Sequence, residues 1–192
     1  RTLAEQSKLT FGLPDTEALD WDEKLTPAEP EAEVVTEVDR DLIPEGQDVV
    51  RSDTGEIVRD WVAGVQTINT SRTQAAQGWI GEKTLELAQV TFEITTPKAT
   101  VAISSLDGKP IGESGRLLIT AMARAVPAQN NRMPLLSEPV AGALRIDAPD
   151  GLQLVPLAGD GTELEAVPVQ REDGAYRVEL PASRGTHWFM LK

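Results

Sequence analysis

From position 50 onward turn signals recur every few residues, and that spacing limits the chain to short extended segments. Gly159-Asp160-Gly161, Asp173-Gly174 and Ser183-Arg184-Gly185 separate apolar runs at 151–157, 163–169, 175–180 and 186–191. Runs of that length between Gly, Asp and Ser clusters predict strands following one another as an antiparallel meander. Helical periodicity is almost absent, so about ten short strands are expected, packed as an all-β antiparallel β-sandwich.

The densest combination of turn and strand signals lies at 50–81, VRSDTGEIVRDWVAGVQTINTSRTQAAQGWIG. Ser52-Asp53-Thr54-Gly55 supplies short polar side chains that bond their own backbone, together with a glycine that tolerates positive φ. A strand at 56–62, a turn at Ala63-Gly64 and a β-branched strand at 65–70 follow. The polar return Ser71-Arg72-Thr73-Gln74 is read as the crest of the hairpin.

Downstream, the apolar positions of 84–94 change parity at Ala88-Gln89, which predicts one strand broken by a β-bulge. A strand at 99–106 precedes the tight-turn pair Asp107-Gly108. Alternation of Leu117, Ile119, Ala121 and Ala123 predicts a long strand at 115–126, and the prolines and Gln129-Asn130-Asn131 predict a loop from 127 to 139. Strand character resumes at 140–146.

The chain has 192 residues, no cysteine and a formal net charge of −13. Zinc-thiolate sites and disulfides are therefore excluded, and the charge argues against a nucleic-acid surface, which needs clustered Lys and Arg. No apolar run approaches the roughly 20 residues needed to span a bilayer. Residues 15–37 are acidic and carry Pro27 and Pro30, too polar to offset the entropy of ordering. Residues 1–48 are thus expected to form an acidic, partly extended arm or linker, and 49–192 the sandwich domain. Trp21, flanked by Asp20, Asp22 and Glu23, is the exception and is expected to dock in a groove or meet a partner. A chain opening on Arg1 instead of Met is expected of a trimmed or excised piece.

Several spaced motifs carry a family resemblance over 50–192. They are SDTGE at 52–56, Asp60-Trp61, INTSRTQ at 68–74, Gly78-Trp79, ISSLDGKP at 103–110, RLLITA at 116–121 and THWF at 186–189. In this order they resemble the β-sandwich domain that follows the catalytic barrel in a group of bacterial glycoside hydrolases. Ser71 stands where that pattern has Pro, which leaves the bend less rigid. The resemblance implies a non-catalytic accessory domain, secreted or periplasmic, whose partner is the catalytic barrel of the same polypeptide.

None of the motifs is a catalytic signature. His187 is the only histidine, it lies beside Trp188 in a strand pattern, and no Gly-x-Ser-x-Gly elbow presents a nucleophile. It is read as a strand histidine that bonds a backbone group or faces solvent. Asp53, Asp107, Asp150 and Asp160 offer oxygen ligands, but no Asp-x-Asp-x-Asp-Gly loop organises them, so turn roles explain them more simply. No metal or cofactor is expected. Glu56 and Asp60, with Asp53 nearby, are a conceivable glycosidase pair, against which stands a solvated face balanced by Arg59 and Arg72.

Binding or interface candidates are Trp79, Arg72, Gln74, Trp61 and Trp188. A guanidinium at the crest suits bidentate pairing with a carboxylate or with main-chain carbonyls of an adjacent domain, which singles out Arg72 beside Gln74. Sugar C–H faces pack on exposed aromatic rings while hydroxyls need polar partners. The chain has only four tryptophans, one tyrosine and three phenylalanines, so each ring is weighed first as core or interface. If one serves as a platform, Trp79 does, because Gly78 and Gly81 would expose it. The expected function is therefore an accessory sandwich packed on the barrel of a polysaccharide-degrading enzyme. The alternatives are an independent carbohydrate-binding module that contacts polysaccharide directly and, more distantly, a stand-alone glycosidase.

Overall fold

The computed structural model describes residues 47–129, 132–181 and 186–192. Most of the expected arm, Trp21 included, and the turn at Ser183-Arg184-Gly185 lie outside the described residues. Within them the chain is all-β: fifteen strands, one short 3-10 turn at Ile111–Glu113 and no α-helix. Among the described residues no helix is long and apolar enough to cross a membrane.

Strands β1 (Val49–Arg51), β2 (Ile57–Asp60), β3 (Val65–Asn69) and β4 (Thr73–Gly78) form an antiparallel meander. Its turns are made by side chains that bond backbone. The Asp60 carboxylate accepts from the Ala63 N–H at 2.8 Å, closing the β2–β3 turn. At the β3–β4 bend the Thr70 hydroxyl accepts from the N–H of Thr73 at 2.8 Å and donates to its carbonyl at 3.0 Å. The crest is thus shorter than the sequence suggested: Thr73 and Gln74 already belong to β4, where Gln74 pairs with Asn69 and Ile103.

Residues 84–94 are not one bulged strand. Strands β5 (Lys83–Glu86) and β6 (Val90–Ile94) are antiparallel neighbours, with Leu85 opposite Phe92, and the Leu87 N–H bonds the Val90 carbonyl at 2.9 Å. The change of parity marks a hairpin turn, since reversing the chain resets which residues face the core. Strands β7 (Ala99–Ser105) and β8 (Leu117–Met122) follow. The long strand expected at 115–126 breaks at Ala123-Arg124 and continues as β9 (Ala125–Gln129), which pairs with β10 (Arg132–Ser137) where a loop was expected. Prolines are tolerated there because a two-stranded ribbon has free edges, and Pro134 falls in the register shift between Arg132 and Leu135.

The remaining strands are β11 (Gly142–Asp147), β12 (Leu154–Pro156), β13 (Gln170–Glu172), β14 (Ala175–Leu180) and β15 (Trp188–Leu191). They do not form the expected meander. β12 pairs with β15 in an eight-stranded sheet ordered β1-β2-β3-β4-β7-β8-β15-β12, whereas β13 and β14 join a five-stranded sheet ordered β13-β14-β11-β6-β5. The run at 163–169 contributes only isolated bridges, Leu157 to Glu163 and Leu154 to Val167.

One core joins the sheets. Val101, Ile103, Leu117, Ile119, Phe189 and Leu191 of the larger sheet meet Phe92, Ile94, Leu144, Ile146 and Val178 of the smaller one, all essentially inaccessible. Burying each such side chain contributes about 1.5–3 kcal/mol before the entropy of ordering is counted. The opposite face of the larger sheet carries a second patch in which Trp188 and Leu118 pack on Val155, Leu157 and Met190.

Candidate functional site

Antiparallel pairing brings one end each of β1, β2, β3, β4 and β7 to a common rim of the larger sheet. Val49 lies opposite Asp60, Asp60 opposite Val65, Val65 opposite Gly78, and Gly78 opposite Ala99. Trp79 stands at this rim. Its N–H donates to the Gly64 carbonyl at 3.0 Å, and its own carbonyl accepts from Lys83 Nζ at 2.6 Å. The ring lies against backbone at Gly64, where a Cβ would come within 2.6 Å of the indole Cδ1. Gly78 has φ +100° and would set a Cβ 2.1 Å from the Gly64 carbonyl oxygen. Both glycines are therefore required for the ring to sit where it does. Gly81 also has a packing cause, since its Cβ would meet the Pro97 backbone at 2.6 Å. The mounted indole remains 54 % exposed.

In front of Trp79 opens a hollow of about 550 Å³ bounded by Thr96, Lys98, Thr100, Arg124 and Glu138. Lys98 Nζ stands 5.6 Å from the indole centre, and Arg124 Nε lies 3.4 Å from the Glu138 carboxylate. A second hollow of about 280 Å³, lined by Arg59, Trp61, Gln66 and Gln77, shares Gly78, Lys98 and Thr100 with the first. The two make one trough. Arg59, Gln66, Gln77 and Thr100 are successive cross-strand partners on β2, β3, β4 and β7 and so share the outer face of the sheet. At the far end the Arg59 guanidinium stacks 3.7 Å from the centre of the Trp61 ring.

Of the five sequence candidates the trough unites two, Trp61 and Trp79. Arg72 is exposed at the opposite end of the β3–β4 hairpin, about 16 Å away along the strand at 3.3 Å per residue. Its carbonyl accepts from the Ser105 N–H at 2.8 Å. Gln74 is wholly buried: its Nε2 donates to Gln89 Oε1 at 2.6 Å and its Oε1 accepts from the Gln89 N–H at 3.0 Å. It faces the interior because Gln74, Ala76 and Gly78 alternate inward along β4, so no ligand reaches it. Trp188 belongs to the packed patch on the outer face near β12.

Sequence reasoning missed Gln66, Gln77, Lys98, Thr100 and Arg124 as site residues and treated Arg59 only as a surface charge. The register of β2, β3, β4 and β7 aligns four of these six, and only a correct pairing of the hairpins would have revealed the row.

The arrangement offers aromatic faces, amide and hydroxyl groups, and cations, which is a recognition chemistry. Glu56, just before β2, and Asp60, at its end, are about 13 Å apart along the chain at 3.3 Å per residue, beyond the roughly 5–9.5 Å that glycosidase carboxyl pairs span. His187 Nδ1 bonds the Ala121 carbonyl at 2.9 Å. Asp53 and Asp160 accept N–H bonds within their own turns, and Asp150 pairs with Arg171. Among the described residues no group of three His, Asp or Glu side chains is placed to hold a metal ion. No protein-family model, no curated protein and no solved structure matches the chain.

Proposed function

We propose that this chain is a non-catalytic accessory β-sandwich of a polysaccharide-degrading glycoside hydrolase, packing on or supporting the catalytic barrel of the same polypeptide in the periplasm or outside the cell. The observation that carries this reading is the β9–β10 ribbon. Met133 is 78 % exposed, Leu135 53 % and Leu136 57 %, with Val126 and Met122 exposed beside them. Contiguous apolar surface of this kind is characteristic of a contact with another protein surface. The sequence resemblance over 50–192 supplies the identity of the partner. The test is photocrosslinking from benzoylphenylalanine at Leu135 in the complete polypeptide: capture of barrel residues is expected. Capture confined to the sandwich itself, or a polypeptide that encodes no barrel, overturns the proposal.

A second reading, a carbohydrate-binding module, is favoured by a different observation, the exposed and rigidly mounted Trp79 at the mouth of a polar trough. Affinity electrophoresis of the chain through polysaccharide gels separates the two readings, since packing on a barrel requires no retardation.

A further inference from the structure

We infer that the trough between Trp61 and Trp79 binds a glycan containing uronate residues, with Trp79 as the stacking face and Lys98 as the group that reads the carboxylate. This rests on the carbohydrate-binding reading and adds the ligand's charge to it. The row from Arg59 through Gln66 and Gln77 to Thr100 crosses three strand spacings of about 4.8 Å, or about 14 Å, enough for a short run of pyranose rings. Amide and hydroxyl groups along it satisfy sugar hydroxyls in either sense, as donors or acceptors.

The charges in the trough specify the rest. Asp60 is engaged by the Ala63 N–H, and Glu138 by Arg124 at 3.4 Å. Among the described residues Lys98 has no carboxylate partner, and at 5.6 Å from the indole centre it makes only a weak cation–π contact. A carboxylate on a ring stacked at Trp79 replaces that contact with an ion pair. Glu138 and Asp60 oppose the denser charge of a sulfated chain, so singly charged sugar units suit the trough best. The protein as a whole carries −13, which repels polyanions, so retention by one requires a local cationic site.

The test is affinity electrophoresis of the full 192-residue chain through polygalacturonate, alginate, carboxyl-reduced polygalacturonate and dextran sulfate. At least one uronate polymer should retard it, with the carboxyl-reduced polymer about tenfold weaker, the worth of one charge-assisted contact. Lys98→Gln, at an exposed position, should bring the uronate polymer down to the level of the reduced one, and Lys98→Arg should restore it. Trp79→Ala, checked for an unchanged melt, and Trp79→Phe as its conservative counterpart, should weaken both polymers. Equal binding of uronate and reduced polymers, or dextran sulfate bound as tightly as the uronates, overturns the inference while the glycan reading stands. Retention by none of the four polymers overturns the inference, and the glycan reading then stands or falls on gels of neutral polysaccharides.

Discussion

Gln74 and Gln89 clasp each other between the two sheets, each accepting a hydrogen bond from the other, at 2.6 and 3.0 Å. Gln74 comes from β4 of the larger sheet and Gln89 from the β5–β6 turn of the smaller one, and the Gln89 carbonyl in turn accepts from the N–H of Asp147, the last residue of β11. The pair closes the end of the sandwich remote from Trp79. Gln74→Leu keeps the volume but strands the Gln89 N–H, and should cost about 1–3 kcal/mol. Gln74→Ala adds a cavity and should cost about 2–4 kcal/mol. Urea unfolding of both variants checks this, and a loss below 0.5 kcal/mol in either, on the order of a surface change, would show that the clasp contributes little.

The mount of Trp79 predicts unequal penalties for two glycine substitutions. Gly78→Ala drives a methyl into backbone at 2.1 Å and should destabilise by about 3 kcal/mol or more. Gly64→Ala meets a side chain at 2.6 Å, which can swing aside at φ +63°, so its cost should be smaller, about 1–2 kcal/mol. Its signature is optical. A displaced indole should shift the tryptophan emission of Gly64→Ala, and an unshifted spectrum would mean that the ring is not held by this contact.

Asp107 makes the β7–β8 connection sensitive to acid. Desolvation pushes its carboxyl up, but hydrogen bonds from the Ser114 and Ser105 hydroxyls and from the Lys109 and Gly115 N–H groups outweigh this and hold it at about 2, below the ordinary 3.8. A depressed folded value contributes stability above the unfolded pKa, and that contribution is lost as pH falls from about 4 toward 2. Asp107→Asn should therefore melt lower than the parent at pH 7, and the difference should close by pH 2. Parallel melting curves across that interval would remove the carboxylate from the account.

How much of this was legible depended on the range of the interaction. Alternation along β8 placed Leu117, Ile119 and Ala121 on a buried face correctly, because period-2 burial is local. The 87–89 reversal and the β9–β10 ribbon were not legible, since a short apolar run reads alike whether it bulges, turns or pairs. Gln74 was misassigned for the same reason. A polar residue beside a bend looks exposed until its partner, fifteen positions on, is known to close over it. Trp61 and Trp79 were singled out by residue type and, for Trp79, by its flanking glycines, whereas the row of Gln66, Gln77 and Thr100 became visible only through the register.

Glu56→Gln with Asp60→Asn tests the distant glycosidase alternative. Asn keeps the acceptor oxygen that the Ala63 N–H uses, and Glu56 is exposed, so the double variant should melt within a few degrees of the parent. Neither protein should hydrolyse aryl glycosides or polysaccharides. Turnover by the parent that vanishes in a stably folded double variant would make the two carboxylates catalytic in spite of their separation.

The ribbon gives the last prediction. Leu135 and Leu136 are consecutive strand residues, so they point to opposite faces, and both are more than half exposed. A ribbon that is apolar on both faces gains nothing from its own sandwich, whose core is complete without it. Leu135→Ser with Leu136→Ser removes only the cross-strand contacts with Pro127 and Val126, each worth about 0.2–1 kcal/mol. The double variant should therefore melt close to the parent and be more soluble, while crosslinking to the proposed barrel partner from a neighbouring probe at Val126 should fall sharply. A melt lowered as far as a core truncation lowers it, about 3 kcal/mol or more, would mean that the ribbon covers this chain's own interior and is not a docking surface.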